Sequence, residues 1–97
     1  MKVVFDDEAL DDLRRIFHWI AIDNPRAAEK IVARILAKAE RLASAELANM
    51  GRPGLDPGTR ELTVYPYIIV YEVHEDRAEI VVLSVVHGAQ DREGKDT

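Results

Sequence analysis

The chain has 97 residues, enough for one hydrophobic core and too few for two. It is 47% hydrophobic and 32% charged, a globular balance, and its lack of cysteine excludes disulfides, thiolate nucleophiles and cysteine zinc sites. Eighteen acids against thirteen Lys and Arg give a net charge of −5, the wrong sign for gripping nucleic acid through its phosphates, so direct DNA binding by this chain alone is not expected.

The N-terminus "MKVVFDDEAL" turns acidic at Asp6, leaving too short an apolar run for a signal peptide. No stretch approaches the roughly 18 apolar residues of a membrane span. Both features point to a cytoplasmic protein with no membrane attachment. "KVVF" (2–5) reads as a short strand, and Asp6 or Asp7 then offers a helix N-cap with further acids in the first turn. Leu10, Leu13, Phe17 and Ile20, with Ile16 beside them, predict an amphipathic helix over 7–22. Asn24 caps a second helix and Pro25 opens it, where a missing N–H is harmless. Its stripe of Ala28, Ile31, Val32, Ile35, Ala39 and Leu42 carries the helix to 47. So short a join predicts an antiparallel helical hairpin.

"NMGRPGLDPG" (49–58) holds three Gly and two Pro and reads as a loop. "TRELTV" (59–64) alternates, with Arg60, Leu62 and Val64 opposite an exposed row of Thr59, Glu61 and Thr63. Pro66 breaks that strand; "YIIVYEVH" (67–74) and "AEIVVLSVVH" (78–87) supply two more. The order β-α-α-β-β-β predicts an α+β fold, a helical hairpin packed on a mostly antiparallel sheet. The last two strands are apolar on both faces, with Ile80, Val82 and Val86 opposite Val81, Leu83 and Val85. Two helices cover one face only. The other is shielded by the 43–58 connection and the tail, or it is a groove for a partner chain to which Tyr71 and Leu83 would contribute.

Chemistry is sparse. His18, His74 and His87 lack metal-site spacing, and no phosphate loop, nucleophile elbow or zincin motif occurs, so neither metal nor cofactor is expected. Ser44 and Ser84 sit on no strained turn. Lys30, Arg34, Lys38 and Arg41, spaced four, four and three, share one side of the second helix, either as a solvated face or as a seat for an acidic partner segment. Trp19 lies off the apolar stripe of its helix and anchors the hairpin or flanks the groove. Arg52, Arg60, Arg92 and His87 fall where one end of the sheet would gather them, a set able to meet phosphate charge and supply an acid in a ribonuclease.

"GRPG" (51–54), "RELTVYPYIIVY" (60–71) and "VVHGAQDR" (85–92), preceded by "NPRAA" (24–28), resemble the RelE/ParE superfamily of type II toxin–antitoxin toxins, ParE-like branch. The resemblance covers residues 2–92, so 1–92 is expected to be a single toxin domain and 93–97 a polar tail. It implies a cytoplasmic toxin that blocks replication by inhibiting DNA gyrase. It also implies a hetero-oligomer with a ParD-like antitoxin, whose C-terminal segment wraps around helices and sheet. On that reading Arg52, Arg60, His87 and Arg92 contact the target, while Trp19, Lys30, Arg34, Lys38, Arg41, Tyr71 and Leu83 contact the antitoxin. The RelE-like branch, which cleaves mRNA on the ribosome, is the alternative. Its strand arginine is missing from "YIIVYEV" and its basic or aromatic C-terminus is here "HGAQDREGKDT", so no catalytic residue is assigned.

Overall fold

Residues 1–88, which the computed structural model describes, run β1 (Lys2–Phe5), α1 (Asp7–Ala21), α2 (Pro25–Glu40), β2 (Arg52–Pro53), β3 (Arg60–Val64), β4 (Tyr67–His74) and β5 (Glu79–His87). The sheet order is β1-β5-β4-β3-β2, antiparallel throughout except for the parallel pair β1–β5. The expected α+β class, with a helical hairpin on a mostly antiparallel sheet, is the one the chain adopts.

The hairpin forms for the local reasons its sequence offers. Asp6 stands at the N-cap of α1 in extended backbone, and Asp7 and Glu8 occupy the first turn, where the helix dipole favours acids. Asn24 Oδ1 accepts the amide N–H of Ala27 at 3.1 Å, and Pro25 opens α2. The inward line of α1 is Ala9, Leu13, Ile16 and Ile20, while Leu10 stays more exposed than its spacing suggests. Ala28, Ile35 and Ala39 of α2 are fully buried. From the sheet, Leu62, Val64, Tyr67, Ile69, Tyr71, Ile80, Val82 and Val85 meet them.

Four expectations change. Helix α2 ends at Glu40, not 47, and residues Arg41–Ala43 tighten into a 3-10 turn. The reason is packing. Leu42 and Ala48 are both buried, yet at about 100° per residue a continued helix would put them roughly 120° apart around its axis. Second, the 49–58 segment is not wholly loop: Arg52 and Pro53 form β2, opposite Glu61 and Arg60. Third, Glu61 is buried, because Arg52 beside it supplies a guanidinium 3.2 Å from its carboxylate. Fourth, the pairing passes from Val70↔Ser84 to Tyr71↔Val82, so Leu83 is an extra residue in a bulge. The bulge reverses the phase of β5, turning Val85 into the core and Val86 away from it.

Two polar bridges fix these parts. Strand β1 pairs with β5 only as far as Val82; beyond it the amide N–H of Val85 donates to Asp12 Oδ2 of α1 at 2.9 Å. At the sheet centre Tyr71 is fully buried. Its hydroxyl donates to the Ala48 carbonyl at 3.0 Å and accepts the Gly51 amide N–H at 3.1 Å. Tyr71 is therefore a core residue rather than part of an open groove. A Cβ on Gly51 would lie 2.5 Å from the Glu61 carbonyl oxygen and 2.7 Å from that hydroxyl, so only glycine fits there.

Tyr71→Phe keeps the ring but leaves a buried carbonyl and a buried N–H unpaired, and should cost about 1–3 kcal/mol of stability. Urea unfolding checks it: the midpoint falls while the slope stays unchanged.

Candidate functional site

Three of the depressions in the described surface between them sort the residues singled out by sequence. The first, about 360 Å³, is lined by Arg52, Thr63, Tyr65, Pro66, Ile68 and His87. Arg52 and His87 thus come to one place. Arg52 is mostly exposed but held by Glu61, and His87 is exposed with its ring edge-on to Tyr67, centroids 5.6 Å apart. Ile68 is buried although its register turns it away from the helices, since Gly88 packs over it; a Cβ on Gly88 would lie 3.1 Å from Ile68 Cδ1.

Arg60 does not join them. Its Nη2 donates to the Asn49 carbonyl at 2.9 Å and to the Gly51 carbonyl, and its Nε is buried with no hydrogen-bond partner among the described residues. The guanidinium ties down the connection that follows α2 rather than facing a target. Arg92 lies outside the described residues.

The second depression, about 350 Å³, gathers Arg34 and Lys38 of α2 and Arg41 of the following turn against Thr63, Val64 and Tyr65. Lys30 is exposed one turn further along the same helix. The third, about 340 Å³, sets Trp19, which is 76% exposed, beside Arg15, Ile16, Tyr67 and His87. Trp19 therefore flanks the C-terminal end of β5. Leu83 is half-buried at the bulge.

Sequence reasoning missed Tyr65, which is 81% exposed and lines two of the three depressions. The signal was there in "YPY": a strand broken at Pro66 leaves the preceding residue in the turn. It also missed Asp12, whose role depends on a strand more than seventy residues away.

Of the two arginines nearest the sheet end, one neutralises a buried carboxylate and the other holds backbone carbonyls. Among the described residues no group of three or more His, Asp or Glu is placed to hold a metal ion, and no helix is long and apolar enough to cross a membrane.

Residues 3–92 match the family described as the ParE toxin of the type II toxin–antitoxin system, parDE. The Sinorhizobium fredii (strain NBRC 101917 / NGR234) protein Y4kP is 40% identical over 84 residues, spanning 84% of this chain and 82% of that protein. Among solved structures, the chromosomal ParDE toxin–antitoxin system from P. aeruginosa superposes with a TM-score of 0.77 at 28% identity, covering 90% of this chain and 95% of that one. The RelBE2 toxin–antitoxin complex from Mycobacterium tuberculosis gives 0.65 at 25% identity, with 89% and 95% covered.

The contrast between the two sheet-end groups is measurable. Arg60→Ala, which removes a charged donor from two carbonyls, should lower stability by about 1–2 kcal/mol. His87→Gln, at an exposed strand end, should stay within about 0.5 kcal/mol. Urea titration of the two variants beside the parent chain reads both.

Proposed function

The chain belongs to the ParE toxin family of type II toxin–antitoxin systems, and from that premise we propose that it is a cytoplasmic toxin that inhibits DNA gyrase and blocks replication. It is neutralised by a ParD-like antitoxin in a hetero-oligomer, and it acts by contact rather than by catalysis. The observation that carries the reading is the family match over residues 3–92, joined to the likeness to a ParDE system.

The residues support inhibition by contact. Cleavage of RNA at a sheet end needs several cations free to meet developing phosphate charge and a group positioned to move a proton. Here Arg60 is spent on backbone carbonyls and Arg52 is paired with Glu61, so neither arginine stands unpaired to meet developing phosphate charge. Arg52, Tyr65 and His87 on that depression, with Trp19 close by on the third, offer instead a mixed aromatic and cationic surface of the kind enriched in protein contacts. Gyrase is met there. The net charge of −5 disfavours ribosomal RNA as the target.

Expression without the antitoxin should stop DNA synthesis before RNA or protein synthesis, with an SOS response, and the purified chain should inhibit supercoiling by gyrase. Rapid loss of translation with cleaved mRNA overturns this reading in favour of a ribosome-dependent endoribonuclease. His87→Gln should reduce toxicity modestly, by less than about tenfold, the range of one exposed contact. Abolished toxicity in a folded, antitoxin-binding variant would make His87 a catalytic group.

A further inference from the structure

A carboxylate lies buried at the sheet-end surface while its partner stays in water. The pairings Glu61↔Val70 and Thr63↔Ile68 place these four side chains on the sheet face turned from the helices. Arg52↔Glu61 adds Arg52 to that face. The Glu61 side chain is 4% exposed and that of Arg52 59%, with Nε 3.2 Å from Oε1. Burying a carboxylate is costly unless a partner offsets it, and an apolar residue of similar size often stabilises a fold as well. Strand β2 is also fastened by backbone alone, through its register with β3 and the Gly54 N–H to the Thr59 carbonyl at 2.8 Å. Stability leaves the acid unexplained.

The first depression gives it a role. Arg52, Thr63, Tyr65 and His87 bring a guanidinium, two hydroxyls and an imidazole to one place. Around an unpaired arginine such a set would seat a phosphate. Glu61 changes that in two ways. It takes the Nε–H, leaving the guanidinium only its Nη donors, and its negative charge offsets the arginine at short range. Among the described residues the Nη atoms make no hydrogen bond, so they stay available to an outside acceptor. The rest of the wall, Pro66, Ile68 and Gly88, is apolar. A balanced donor beside an apolar wall suits backbone carbonyls and apolar side chains better than phosphates.

We infer that Glu61 is a specificity-determining residue of the target face: by offsetting Arg52 it admits the neutral acceptors of a protein and turns phosphates away. The inference rests on the gyrase reading above and names the residue that keeps this face from taking nucleic acid. At a distance the net charge of −5 already repels nucleic acid; Glu61 acts in contact, where a single charge decides. A merely structural pair makes a different forecast. Losing Glu61 would then change stability and leave the choice of ligand alone.

The test uses the full chain, a single-stranded RNA oligonucleotide and purified gyrase. Glu61→Gln removes the charge and keeps an oxygen for the Nε–H; Glu61→Met removes both and fills similar space. At low salt either variant should bind the RNA at least about threefold tighter than the parent chain. The slope of log affinity on log salt should steepen by about 0.7, the value of one phosphate on a single strand. R52A/E61Q should return to the parent level. So should E8Q, which shifts the net charge equally from an exposed position on α1. Folded Glu61 variants that bind RNA no better than the parent, or an E8Q gain equal to that of E61Q, overturn this inference alone. Circular dichroism showing both Glu61 variants unfolded overturns it too, since the pair would then serve the fold. A parent chain that leaves supercoiling by gyrase untouched overturns the target reading, and the RNA titrations still decide the role of Glu61.

Discussion

The hydroxyl of Tyr71 is where sheet and connection become one object. Donating to Ala48 and accepting from Gly51, it satisfies two buried backbone groups of a segment with almost no regular structure of its own. That segment leads into β2, so the position of Arg52, its pairing with Glu61 and the burial of that carboxylate all follow from it. Arg60 holds the same stretch from the other side through the carbonyls of Asn49 and Gly51. Gly51 has to be glycine because these groups leave no room for a Cβ. The outer surface at Arg52 is thus set by hydrogen bonds made within the core.

The two helices spend their charge differently. Helix α1 pairs Asp11 with Arg14 and Asp12 with Arg15 along its own face, while the cations of α2 form no ion pair among the described residues. Exposed ion pairs are worth only about 0–1 kcal/mol each, so the fold loses little by leaving the ridge unpaired. What the ridge retains is field: a positive strip on an otherwise acidic protein, which raises the encounter rate with an acidic partner and repels like-charged surfaces. Asp12 does double duty, since its second oxygen receives the amide of Val85 and closes the strand edge that β1 leaves uncovered.

Local physics was legible in the sequence and long-range compensation was not. Asn24 and Pro25 announced α2, and the Ala28, Ile31, Ile35, Ala39 stripe gave its buried side, because both signals act within a few residues. The alternation in β4 placed Tyr71 correctly in phase with Ile69 and Val73, yet the double-sided pattern left open which face was inward. The bulge at Leu83 has no signature in a run of Val, Leu and Ser, and it alone moves Val85 inward. Glu61 read as exposed because a carboxylate in an alternating strand normally is; its burial needs Arg52, nine residues earlier, across a two-residue strand too short to recognise. At the candidate site the ridge was visible through its spacing, whereas the engagement of Arg60 with Asn49 and Gly51 depended on a loop path that no periodicity describes.

The parallel pairing of β1 with β5 sets an order of assembly. Lys2 to Phe5 align with Glu79 to Val82, so the first strand made is completed by the last. A chain emerging from the ribosome can close its helical hairpin early, since that contact is local, but β1 cannot join the sheet until β5 arrives. The nascent protein therefore holds β1 unpaired while the hairpin and the β2–β3–β4 part of the sheet are made. The surface formed around Tyr67 and His87 exists only once β5 has been made and paired with β4.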